Sequence, residues 1–102
     1  MAKFIATYDL TNTNPSPYSE YLSAAKELGW SVWILSSQSV WYRLPNTTLV
    51  GEFSDMDAAE KAFDSIKGRA EKKLGRPITV EKMIVANYTS SRFNSDQTQP
   101  KK

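Results

Sequence analysis

The chain has 102 residues, the size of one domain and not of two. It contains no cysteine and no histidine, which excludes disulfides, thiolate nucleophiles, zinc-finger sites, histidine bases and the Ser-His-Asp arrangement. Hydrophobic residues at 40% and charged residues at 24% suit a folded protein, a net charge of +2 argues for no polyanion by itself, and no apolar run approaches the roughly 20 residues of a membrane helix.

Phe4 to Asp9 is short, apolar and rich in β-formers, and the turn-rich run Thr11 to Pro15 follows it, so a first strand leaves the core into a loop. The N-terminal MAKFIATYDL lacks the basic-then-apolar layout of a signal peptide, which makes the cytoplasm the expected location. Ser16 and Pro17 read as an N-cap and a first helical position; Tyr18, Tyr21, Leu22, Ala25 and Leu28 recur at helical spacing up to Gly29. Between Trp30 and Leu44 the β-formers Val32, Ile34, Val40 and Tyr42 are interrupted by Ser36 to Ser39. Either one bulged strand or two short strands meeting in a turn fits that pattern.

Thr48 to Phe53 is a further strand, with Leu49, Gly51 and Phe53 on one face. Ser54 is the expected cap of a second helix, with Asp57 at the capping-box position and Ala59, Phe63, Ile66, Ala70 and Leu74 as its core stripe. Gly75 and Pro77 end it, and Ile78 to Asn87 is the last strand. Strand, helix, strand, strand, helix, strand is the ferredoxin-like β-α-β-β-α-β order: an α+β domain over residues 1–89, with two helices on one face of an antiparallel sheet. Residues 90–102 are polar and are expected to be a flexible tail. The second face of such a sheet is solvated, binds a ligand, or packs on another copy.

With thiols and imidazoles absent, catalysis falls to carboxylates, Lys, Tyr, Ser or Thr, or to an oxygen-ligated metal. Asp9, ending the first strand, is the candidate: it can ligate Mg²⁺, and two copies meeting across a dimer would supply paired carboxylates for phosphodiester cleavage. The plainer alternative is an Asx-type turn between Asp9 and Thr11. Trp33, Trp41 and Tyr42, together with Trp30, can stack on bases with Arg43 as a cation beside them, or can serve as core and dimer contacts. Residues 67–102 hold nine bases and three acids, whereas residues 51–66 hold one base and five acids. Arg69, Lys72, Lys73 and Arg76 fall on one side of the second helix and would suit phosphates; a solvated helix with charges matching its dipole explains the same run.

Two families share the deduced fold. Tyr8-Asp9, Leu28-Gly29-Trp30 and Gln38 to Trp41 resemble the SinR-like proteins, a small CRISPR-associated ferredoxin-fold family with VapD-type toxins among its relatives. That resemblance covers roughly the first 44 residues and implies a homodimer associated with nucleic acid, with Asp9 at the metal-associated position of its nuclease members. Val50 to Phe63 and Gly75 to Lys82 resemble the later half of an RNA-recognition motif, but the stacking positions of that motif fall on Thr48 and Val50. The expectation is therefore a homodimeric, nucleic-acid-associated protein with Mg²⁺ as its one conceivable cofactor and no membrane partner. The alternative is a dimeric α+β domain that binds a small ligand or acts as a non-catalytic interaction module.

Overall fold

Strict alternation along Ala2–Leu10 (β1) buries Phe4, Ala6, Tyr8 and Leu10 and leaves Lys3, Thr7 and Asp9 exposed, so one face of this strand is core and the other is not. The computed structural model describes residues 1–101. After β1 come α1 (Tyr18–Glu27), β2 (Trp33–Leu35), β3 (Val40–Arg43), β4 (Thr48–Phe53), α2 (Met56–Leu74), β5 (Val80–Tyr88) and β6 (Thr98–Pro100). The described residues are thus α+β, with two helices and six strands. None of its described helices is long and apolar enough to cross a membrane.

The strands form two antiparallel sheets rather than the single one expected. In the first, β1 lies between β4 and β5, with Ala6 opposite both Leu49 and Val85. The second has the order β2-β3-β6. They touch through one bridge, in which Ser31 and Val50 exchange backbone hydrogen bonds of 2.8 and 2.9 Å. Residues 30–44 therefore make a hairpin and not one bulged strand. Ser36 closes the turn, accepting the Val40 N–H on its hydroxyl (3.2 Å), and Ser39 takes a left-handed φ of 60°. Residues beyond 90 run back along this hairpin: the Arg43 N–H donates to Gln97 O, Thr98–Pro100 pairs with β3, and the Lys101 N–H donates to Ser39 O.

Both helices bury their apolar stripes on the core face of the first sheet. On α1 these residues are Tyr21, Ala24 and Ala25; on α2 they are Ala59, Phe63, Ile66 and Ala70. Aromatic rings fill the middle: Phe63 lies 6.2, 6.4 and 6.3 Å from the rings of Tyr8, Tyr21 and Trp30. The caps sit one residue later than the sequence pattern suggests. Pro17, not Ser16, is the N-cap of α1, and Asp55, not Ser54, caps α2, accepting the Ala58 N–H at 2.9 Å. Asp reaches this donor as well as Ser does, so the pattern alone does not separate the two. At the far end Gly75 (φ 80°) stops α2, and the Glu71 carboxylate accepts both the Ile78 N–H (2.8 Å) and Lys67 Nζ (2.9 Å). Those two hydrogen bonds hold its pKa below the usual carboxylate value and fasten the helix end to the approach of β5.

Two polar atoms in this core, Tyr21 Oη and Trp30 Nε1, have no hydrogen-bond partner among the described residues. Burying an unpaired hydroxyl costs about 1–3 kcal/mol. Tyr21→Phe, which removes that hydroxyl and keeps the ring, is expected to leave stability unchanged or raise it by about 1 kcal/mol in urea denaturation. A loss of comparable size would show that a buried water satisfies the group.

Candidate ligand cleft between the two sheets

Because β1 spends its even-numbered side chains on the core, Ile5 and Thr7 face the other way. In register with them stand Val50 and Thr48 on β4 and Ala86 and Ile84 on β5. This second face of the first sheet is the floor of a cleft whose walls are β2, β3 and residues 90–94. One part, a cavity of about 600 Å³, is lined by Ile5, Thr7, Tyr42, Arg43 and Arg92 among others. An adjoining part of about 510 Å³ is lined by Lys3, Trp33, Trp41 and Glu52. Ile34, Val50, Tyr88, Ser91 and Phe93 border both, so the two cavities adjoin; together they are called the groove.

The composition of that groove is its main chemical feature. Five aromatic side chains line it, namely Trp33, Trp41, Tyr42, Tyr88 and Phe93. Phe93 stands edge-on to Tyr42, with centroids 5.4 Å apart and planes at 69°. Three cations, Lys3, Arg43 and Arg92, border the groove against one carboxylate, Glu52. Burial, reinforced by Glu52, raises the pKa of the Tyr88 phenol, so it remains a neutral donor. The aromatics are half-buried, which leaves part of each ring free for a ligand.

Trp33 and Trp41 border one part of the groove and Tyr42 and Arg43 the other, and the β2–β3 register puts Tyr42 on the opposite face of the hairpin from Trp33, Trp41 and Arg43. Trp30 is not with them; it is 2% exposed and packs against Phe53 in the core, 4.8 Å between centroids. Tyr88, Arg92 and Phe93 are not legible in the sequence as groove residues, because they end a strand or lie in the polar run after it. The one available signal was Phe93, an isolated aromatic in an otherwise polar segment.

The other candidate residues lie elsewhere. Arg69 and Lys73 both bind Glu27 of α1, at 3.3 and 2.7 Å, and these two hydrogen-bonded partners lower the Glu27 pKa. Arg76 donates to the Asn14 carbonyl at 2.7 Å, while Lys72 has no ion pair among the described residues. Arg69, Lys72 and Lys73 line a shallow depression with Glu27, Ser65 and Gly68 that shares no residue with the cleft. Asp9 is exposed, opposite Lys82 at the point where the β1–β5 register shifts. Thr11, its possible turn partner, donates its hydroxyl to Glu81 (2.7 Å) and its N–H to Thr79 O instead. No group of three or more carboxylates that could hold a metal ion occurs among the described residues. No protein-family model matches the chain, and no curated protein or solved structure is significantly similar to it.

Proposed function

We propose that this chain is a small ferredoxin-like module that binds single-stranded nucleic acid in the cleft between its sheets. The observation that carries the proposal is the five-aromatic, three-cation lining of that groove. Stacking accepts any base, and cations along the groove follow the backbone; together they make the usual platform for an unpaired strand. The fold assignment is supported by the order β4-β1-β5 and by the Ser31–Val50 bridge on the outer edge of β4. That bridge stands where the second strand of the split β-α-β unit belongs, with the rest of the strand peeled away into the second sheet.

Self-association rests on β5, whose Ile84 also stands on the cleft face of the sheet. β5 is an edge strand of nine residues, and Met83 and Ile84 on it are 46% and 60% exposed. Exposed apolar side chains along an unpaired edge favour pairing with a second copy. Mg²⁺-dependent cleavage at Asp9 does not fit one copy, which lacks a second carboxylate ligand set, and forms no part of the proposal.

Trp fluorescence tests the binding, because Trp33 and Trp41 line the groove while Trp30 gives a constant background. Mixed-sequence single strands are expected to quench emission at low salt and to bind more weakly as salt rises, whereas a duplex of equal length quenches little. No quenching by any strand at low salt would sink the proposal.

A further inference from the structure

Arg43 borders the cleft and also a smaller cavity of about 380 Å³, on the other side of the turn formed by residues 44–47. There it is joined by Tyr8, Asn46 and Thr47, with Tyr18 and Leu22 of α1 behind them. Arg43 is half-buried, yet none of the ion pairs among the described residues involves it. Its guanidinium donates to the neighbouring Leu44 carbonyl at 3.1 Å, which leaves most of its five donors for something else. Asp96 borders a third cavity with Arg43 but makes no ion pair with it, so an anion from outside can complete this partly desolvated cation.

The backbone beside it gives a second, independent sign. Thr47 has a φ of +60°, a left-handed conformation that a β-branched residue rarely adopts. The turn is held there by the Tyr8 N–H donating to Thr47 O (3.2 Å) and the Thr47 hydroxyl donating to Asn46 O (2.6 Å). Strain kept in place by the surrounding bonds gathers at ligand sites. Tyr18 is not available to a ligand, since its hydroxyl both donates to Leu10 O and accepts the Leu10 N–H, each at 3.0 Å. Tyr8 is different: burial pushes its phenol up to about 12, so it stays a proton donor at the cavity wall.

Resting on the single-strand reading of the cleft, we propose that this cavity seats a terminal phosphomonoester of the bound strand, paired with Arg43 and the Tyr8 hydroxyl. The stacking groove and the cavity share Arg43, so a terminal nucleotide can place its base on the aromatics and its phosphate on the guanidinium. The planar fork of arginine matches a phosphate through two parallel donors.

The test compares one oligodeoxynucleotide carrying a 5′-phosphate, a 3′-phosphate or hydroxyl ends, with a nucleoside 5′-monophosphate and inorganic phosphate as competitors. One phosphorylated end is expected to bind about tenfold more tightly than the hydroxyl-ended strand, the scale of one charge-assisted contact pair. Arg43→Met and Tyr8→Phe should each reduce that preference; Arg43 also borders the groove, so Arg43→Met weakens hydroxyl-ended binding as well, whereas Tyr8→Phe keeps it, retains the buried ring and guards against loss of fold. Equal affinity for all three ends overturns this inference and leaves the cleft proposal standing. A mononucleotide that binds as tightly as the phosphorylated strand reassigns the cavity to a small ligand. Absence of binding by every oligonucleotide overturns both.

Discussion

Truncating Phe63 to alanine is expected to lower the free energy of unfolding by about 3–5 kcal/mol. The ring is 3% exposed on α2 and meets Tyr8, Tyr21 and Trp30, so it joins both helices to the central strand. Its neighbours are themselves stiff rings, and stiff neighbours collapse little into the space left behind. A domain of this size has a total stability of about 5–15 kcal/mol, so the loss would bring thermal unfolding close to ambient temperature. Urea denaturation followed by far-UV circular dichroism measures it. The exposed neighbour Asp64→Ala is the control and should change stability by no more than about 0.5 kcal/mol. A Phe63→Ala loss under about 1 kcal/mol would mean that the aromatic cluster does not organise the core.

Tyr42→Ala is expected to weaken single-strand binding by about 1–3 kcal/mol, roughly five- to 150-fold, the value of one base–aromatic stack. Tyr42 lies mid-strand on β3 and is braced by Phe93, so its removal also frees the ring that supports it. Phe93→Ala should weaken binding too, and the double variant should lose less than the sum of the two, because the rings act as one platform. Fluorescence anisotropy of a labelled strand gives the three affinities, and circular dichroism shows whether the fold is retained. Lys72→Ala, on the far side of α2 from the groove, should shift affinity less than twofold at moderate salt. If Tyr42→Ala binds as well as the parent while Lys72→Ala does not, the interface is the helix surface and the cleft proposal fails.

Periodicity made much of the helical layer and the central strand legible. The α2 stripe of Ala59, Phe63, Ile66 and Ala70 is buried as its spacing indicates, and the even-numbered residues of β1 form one face. The second sheet was not legible, for a physical reason. β2 and β6 have three residues each, too few for alternation to stand above chance, and β6 is the polar triplet Thr98-Gln99-Pro100, which carries no hydrophobic signal. Its pairing with β3 is a long-range backbone event that side-chain pattern does not encode. The candidate cleft shared that fate: Trp33, Trp41, Tyr42 and Arg43 were visible as a cluster, but the wall supplied by Tyr88 to Phe93 depends on where the chain turns after β5. The helical basic run shows the converse case. Arg69, Lys72 and Lys73 line one depression while Arg76 lies beyond the helix end, and Glu27 lies 42 and 46 positions away from Arg69 and Lys73, so only tertiary packing brings that neutralising carboxylate to them.

The single Ser31–Val50 bridge has a further consequence. The floor of the groove belongs to the strand that anchors both helices, whereas its wall is a hairpin completed by a three-residue strand near the end of the chain. A two-stranded ribbon alone is marginal in water, and hydrophobic cover for β2-β3-β6 is sparse, with β6 exposed along its whole length. Floor and wall are therefore expected to unfold as different cooperative units, with the wall opening and re-forming during the lifetime of one folded core. Occupancy of the groove would then be linked to the folding of its own wall, so part of any affinity is spent on ordering β2, β3 and β6 around the ligand.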